Sequence, residues 1–137
     1  MYTNTGILFD MPTLVNVTRV LIADDERLFR EAAELILNAH QRIKVVGKAG
    51  NGRQAVELAR DLDPDVVLID LSMPGMDGFT AIAAMVADEA TRRVIVLSGS
   101  ADPDAVARAT ATGAYSYLTK ERIAEDLVPR VLAAAAN

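Results

Sequence analysis

Four polar clusters in this sequence have the right types and spacing to act together. Asp24-Asp25 follow V-L-I-A, Asp70 follows V-V-L-I, Ser98 follows V-I-V-L, and Lys120 follows Y-L-T. Each cluster begins where a short apolar run stops. A run of four or five β-branched or Leu residues bounded by polar ones reads as a buried strand. If those strands lie parallel in one sheet, the clusters emerge at a single edge and bring together three carboxylates, a hydroxyl and an ammonium. Asp24, Asp25 and Asp70 are hard oxygen donors suited to Mg2+, which takes one or two protein carboxylates and shares phosphate oxygens. Carboxylates within about 5 Å of each other repel by roughly 3 kcal/mol per pair at an effective dielectric of ~20. Such crowding raises at least one pKa, and Lys120 offsets only part of it. A dication resolves the repulsion. Asp70 then reads as a nucleophile: a carboxylate attacking phosphorus gives an acyl phosphate. The dication, Lys120 and Ser98 would each meet a phosphoryl oxygen.

The elements that must position these residues alternate without a break. A strand over 19–23 leads to a helix over 26–40, with Leu28, Phe29, Ala32, Leu35, Ile36 and Ala39 expected on its inner face. A strand over 44–49 follows, then a helix over 53–61 with Ala55, Val56, Leu58 and Ala59 inward. The run 66–70 is uninterrupted Val, Leu and Ile up to Asp70, as a centre strand covered on both faces requires. Asp77-Gly78 opens a helix over 79–87, and a strand over 94–98 follows. Asp102-Pro103 supply an N-cap with Pro at the first helical position, and Gly113 stops that helix. A strand over 115–120 precedes a last helix over 124–136. Pro129 falls inside that helix, at a cost of ~3 kcal/mol in a helix interior, and predicts a late start near Glu125 or a kink. Five strands alternating with five helices imply an α/β fold with a doubly wound parallel sheet, whose ligands bind beyond the carboxyl ends of the strands. Residues 1–16 show no period and read as an extension, leaving one domain over 17–137.

Composition narrows the function. The net charge is −5 and no basic patch stands out, which argues against direct nucleic-acid binding. There is no cysteine, so neither disulfide nor thiolate chemistry is available. No apolar stretch approaches the ~18 residues of a membrane span, and the start lacks a signal-peptide pattern. A cytoplasmic location is the expectation.

V-L-I-A-D-D-E, V-V-L-I-D-L-S-M-P-G-M-D-G, V-I-V-L-S-G and G-A-Y-S-Y-L-T-K resemble the motifs of CheY-like receiver domains of bacterial response regulators. The runs A-G-N-G-R-Q-A-V-E-L-A and G-A-Y-S-Y-L-T-K look most like the NarL/LuxR type. The resemblance implies a flavodoxin-like sheet of order 2-1-3-4-5, an order the general rule for doubly wound sheets itself states for CheY. It implies Asp70 as phosphoacceptor, Asp25 as direct Mg2+ ligand, Asp24 as a ligand acting largely through water, and the Ser72 carbonyl as a backbone ligand. Ser98 matches the hydroxyl switch residue, Lys120 the active-site lysine, and Tyr117 the switch aromatic. Ser72 and Ser100, two residues past Asp70 and Ser98, match positions flanking the path of the hydrolytic water and so tune the lifetime of the phosphoryl group. The implied partners are a sensor histidine kinase and a second copy through the last helix and strand, with output through a DNA-binding domain absent from this chain. The resemblance implies a switch rather than a turnover enzyme. Two other readings compete: an aspartyl-phosphate phosphohydrolase of the haloacid-dehalogenase kind, and a degenerate receiver used only for protein binding.

The remaining residues read more plainly. Met73, Met76 and Met85 read as loop or core, Tyr115 as core or edge packing, and His40 as a helix-end residue far from the site. Lys120 is followed by Glu121 where many receivers have Pro, and a non-Pro cis bond costs ~2.5–4 kcal/mol.

Overall fold

The computed structural model describes residues 16–89 and 92–136. The extension expected over 1–16 lies outside the described residues except for Asn16. The chain runs β1 (Thr18–Ala23), α1 (Arg27–Asn38), β2 (Ile43–Ala49), α2 (Gly52–Leu62), β3 (Val66–Asp70), α3 (Gly78–Asp88), β4 (Arg93–Ser98), α4 (Pro103–Thr112), β5 (Ser116–Thr119), a 3-10 turn (Lys120–Arg122) and α5 (Ile123–Ala136). The strands pair in parallel in the order β2-β1-β3-β4-β5. Parallel neighbours cannot be joined by a tight hairpin, so each connection carries a helix.

Alternate residues of the central strands serve two cores. Leu21, Val67, Ile69, Val94 and Val96 pack with Ala55, Ala59, Ile82, Met85 and Ala109 of α2, α3 and α4. Val20, Ile22, Val66, Leu68, Ile95 and Leu97 pack with Ala33, Leu37, Leu127 and Val131 of α1 and α5. All five residues of β3 are buried, which is why that strand tolerates no polar residue before Asp70. Met73 and Met85 are core residues, as expected, and Met76 is partly buried beside them.

Helix α1 corrects the expected face. Ala33 and Leu37 are buried, with Phe29 and Ile36 packed against them, whereas Leu28 and Leu35 are 77% and 74% exposed and Ala32 and Ala39 also face water. The apolar residues form a stripe wider than the sheet covers. Burying its Ala32 side would have left Leu37 in solvent. The small Ala33 instead lets the helix lie close to the sheet, with Leu37 filling the gap one turn on.

The last helix differs as well. It begins at Ile123, straight out of the 3-10 turn, and continues through Pro129 to Ala136. Pro129 and Glu125 are exposed, so the carbonyl that loses its donor lies on the solvent side, where water can satisfy it. Leu127, Val131 and Ala134 bury the opposite face. Strand β5 is shorter than the expected 115–120, because an edge strand pairs with one neighbour only. Lys120 therefore sits on the 3-10 turn, and the peptide after it is trans.

Two local devices seat the loops that carry the polar clusters. A β carbon at Gly78 would lie 2.9 Å from Leu71 Cα, so glycine lets α3 press directly against the turn after Asp70. Asp102 caps α4 by accepting the Asp104 amide at 3.2 Å, with Pro103 at the start and Gly113 in a left-handed C-cap. Among the described residues, no helix is long and apolar enough to cross a membrane.

Candidate functional site

Every strand runs the same way, so the ends of β1, β3, β4 and β5 meet at one edge. Asp24 is fully buried, Asp70 is 4% exposed and Asp25 is exposed. Each offers a carboxylate oxygen, and the three oxygens lie within 4.8 Å of one another. Lys120 bridges the group: its Nζ is 2.6 Å from Asp24 Oδ2, 3.1 Å from Asp70 Oδ2 and 3.4 Å from Glu26 Oε1. Beneath the ammonium lies the ring of Phe29, 4.5 Å from Nζ to its centroid. Asp24 Oδ1 accepts the Glu26 amide at 2.8 Å and Asp70 Oδ1 accepts the Ser72 amide at 3.0 Å, so backbone donors aim both carboxylates.

Asp24 Oδ2 is buried and faces the Lys120 ammonium at 2.6 Å. Three hard-oxygen donors within 4.8 Å of one another fit a small divalent cation better than a merely capped turn.

Burial pushes the Asp24 carboxyl above its ordinary value. Hydrogen bonds from Lys120 and the Glu26 amide pull it down, and the Asp70 charge pushes it up again. Burial alone would lower Lys120. Its hydrogen bonds to Asp24 and Asp70, and their charges, outweigh that and hold the ammonium above its ordinary value.

The other predicted residues gather at the same edge in a different arrangement. Ser98 ends β4, one residue beyond Leu97, the register partner of Asp70. Its hydroxyl oxygen faces its own loop, where the Ser100 amide approaches it at 3.4 Å. Tyr117 donates its hydroxyl to the Ser100 carbonyl at 3.0 Å. Ser98 and Tyr117 thus hold opposite sides of one short loop. Ser72 and Ser100 are exposed at the rim.

A family model described as the response regulator receiver domain matches residues 20–132. The chain belongs to this family. The receiver is 38% identical over 118 residues to the nitrate/nitrite response regulator protein NarL of Escherichia coli (strain K12), covering 86% of this chain and 55% of that protein. It is 38% identical over 117 residues to the transcriptional regulatory protein LiaR of Bacillus subtilis (strain 168), covering 85% of this chain and 56% of that one. Among solved structures, the signal receiver domain of the putative response regulator NarL from Mycobacterium tuberculosis superposes with a TM-score of 0.83 at 36% identity, covering 89% of this chain and 98% of that one. The receiver therefore spans about half the length of the curated relatives it matches.

Three contacts of the receiver's site were not read from the sequence: Glu26 on Lys120, Phe29 beneath it, and Arg30, whose Nη1 donates to the Asp24 carbonyl at 2.6 Å. Glu26 stands in the D-D-E motif and was visible there. Phe29 and Arg30 depend on how α1 leaves the sheet, for which no local pattern exists. His40 lies in the α1–β2 connection, at the opposite end of the sheet, where its Nδ1 accepts the Arg42 amide at 3.1 Å. Tyr115 is 41% exposed, with the Arg93 guanidinium 5.6 Å from its ring.

The raised Asp24 pKa gives a pH test. Between the ordinary carboxylate value and the raised one, the folded chain holds a proton that the unfolded chain has released. Asp24's contribution to metal-free stability is therefore complete below the ordinary value and lost as pH rises through the raised one. A cation needs the ionised form, so metal binding opposes this trend and releases protons. The rise in melting temperature caused by millimolar Mg2+ is expected to be largest near neutrality and to shrink as pH falls through the raised Asp24 value. A Mg2+ effect independent of pH across the acid range would exclude Asp24 from the metal site.

Proposed function

We propose that this chain is the phosphoacceptor domain of a two-component signalling protein. Asp70 takes a phosphoryl group from a sensor histidine kinase in a Mg2+-dependent reaction, and the resulting acyl phosphate biases a surface that controls output. The observation that carries this reading is the three-carboxylate cluster bridged by Lys120. Asp24, Asp25, Asp70 and the Ser72 carbonyl would hold the metal, which neutralises charge on the phosphoryl oxygens when bound.

The chain's own groups do the rest. The Ser72 amide holds Oδ1 of Asp70 and so orients the carboxylate, whose Oδ2 meets the Lys120 ammonium. Lys120 is already within hydrogen-bond distance of Asp70 and supplies a fixed positive charge for a phosphoryl oxygen. The new group adds about −1.5 to −2 charge and strong acceptors. Ser98 is drawn from its own loop to donate to it, and this moves the loop whose Ser100 carbonyl holds Tyr117. The surface made by α4, β5 and α5 then changes shape and serves as the partner or dimer face. Ser72 and Ser100 are short and exposed at the rim, leave the path of water open, and make the phosphorylated state short-lived. Output runs to transcription through a DNA-binding domain outside this chain, and the protein works in the cytoplasm as a switch rather than as a turnover enzyme.

Incubating the purified chain with radiolabelled acetyl phosphate tests the reading. Stoichiometric label that requires Mg2+ and is lost to hydroxylamine is expected, without turnover of small phosphate esters. Sustained ester turnover would favour a phosphohydrolase, and failure to label with or without Mg2+ would favour a receiver that only binds protein.

A further inference from the structure

We infer that Arg30 is a positioning residue for the metal site, fixing the Asp24–Asp25 peptide so that both carboxylates face Asp70. The inference rests on the Mg2+ reading above. Asp25 is exposed, and the backbone beneath it sets where its side chain starts. That backbone has little else to hold it. Glu26, the N-cap of α1, makes no capping bond with its side chain. The Asp24 amide donates to Ala49 O at 3.0 Å, which fixes only the near side of the turn. The Glu26 amide is held at 2.8 Å by Asp24 Oδ1, so that bond depends on a carboxylate which itself faces the site. Arg30 holds the Asp24–Asp25 peptide itself from outside the carboxylate set, by a charge-assisted bond of 2.6 Å to the Asp24 carbonyl.

The guanidinium is itself held in place. Arg30 lies one helical turn into α1, where its amide donates to Glu26 O at 3.0 Å. The guanidinium lies against the β2–α2 turn, with Arg30 Nη1 3.6 Å from where a β carbon on Gly50 would be, an ordinary packing distance. That turn is closed by the Gly50 amide donating to Gln54 Oε1 at 2.8 Å. Arg30 therefore bonds the loop after β1 while packing against the loop after β2. A peptide whose carbonyl is pinned cannot swing, and the ordering cost of Asp25 as a ligand falls accordingly. Outer partners of metal ligands typically change affinity by about 10–100-fold. Acting through one peptide bond, Arg30 is expected to contribute about fivefold.

The sign of the effect separates positioning from simple charge. Removing a cation beside a dication site tightens metal binding by Coulomb's law; removing a positioning group weakens it. Isothermal titration of the full chain with Mg2+ is expected to show about fivefold weaker binding for Arg30→Met, which keeps the apolar stem. Arg30→Lys, which keeps a charged donor, is expected to recover most of the loss. Arg27→Met removes an equal charge from the same helix, where Arg27 only pairs with exposed Glu31, and is expected to bind at least as tightly as the wild type. Melting in EDTA checks that each variant is folded, and Arg30→Lys keeps the test decisive if Arg30→Met is not. Binding by Arg30→Met equal to or tighter than wild type overturns the inference, as does a loss as large in Arg27→Met. Absence of Mg2+ binding by the wild type overturns the metal reading itself.

Discussion

Asp70→Asn is expected to abolish labelling by acetyl phosphate in the presence of Mg2+, with the fold intact. Asp70 ends the most deeply buried strand, and its carboxylate is 6% exposed with both oxygens engaged, Oδ1 by the Ser72 amide and Oδ2 by Lys120. An asparagine keeps the size and an acceptor for the Ser72 amide. It cannot form an acyl phosphate, because an amide oxygen is a poor nucleophile and leaves no stable mixed anhydride. The neighbouring carboxylates do not substitute. Asp24 has one oxygen on the Glu26 amide and is wholly buried, and Asp25 stands exposed at the rim. Removing one of three crowded carboxylates also relieves repulsion, so the variant is expected to melt no lower than the wild type without metal. Acid-labile label measured on the purified variant decides the matter. Label at the wild-type level would assign the phosphoacceptor to another residue, and mapping it to a peptide would name that residue.

The fold and the site were legible in the sequence to different depths. β3 is read to the residue because it is covered on both faces, and V-V-L-I followed by Asp70 admits only one frame. Asp24, Asp25, Asp70, Ser98 and Lys120 were found together because a parallel sheet sends all its strand ends to one edge, a consequence of topology rather than of any contact. Contacts were harder. The face of α1 was misjudged because Leu28 and Leu35 look like core residues by period, yet the sheet has room only for the side that carries Ala33 and Leu37. The same rotation decides that Phe29 and Arg30 reach the site, so neither could be read without it. Pro129 predicted a disturbance that α5 avoids by turning the proline to water. The hydroxyl of Tyr117 meets a backbone carbonyl, and side-chain-to-backbone bonds across seventeen residues leave no pattern in sequence.

Lys120→Met is expected to lower the rate of labelling by about a hundredfold, since one preorganised charge aimed at the reacting group is typically worth 10²–10³. The variant also exposes what the lysine does before any phosphoryl group arrives. Its ammonium touches Asp24, Asp70 and Glu26, and two of those carboxylates are buried. Methionine fills similar space over the Phe29 ring but leaves Asp24 and Asp70 facing each other without a cation. Breaking a buried pair on one side typically costs about 3–5 kcal/mol. Here burial already raises the Asp24 pKa, and any proton Asp24 takes up once the lysine is gone relieves part of that cost. The metal-free variant is therefore expected to lose about 2 kcal/mol near neutrality. The deficit against wild type should shrink as pH falls through the raised Asp24 value, because part of the charge that lysine balances is then gone. Millimolar Mg2+ should recover more stability in the variant than in the wild type, since the dication takes the place of the missing ammonium. Denaturant midpoints at several pH values, with Mg2+ or with EDTA, measure all three effects. A deficit that persists unchanged into acid, or that Mg2+ does not reduce, would mean that Lys120 supports the fold by packing rather than by balancing the carboxylates.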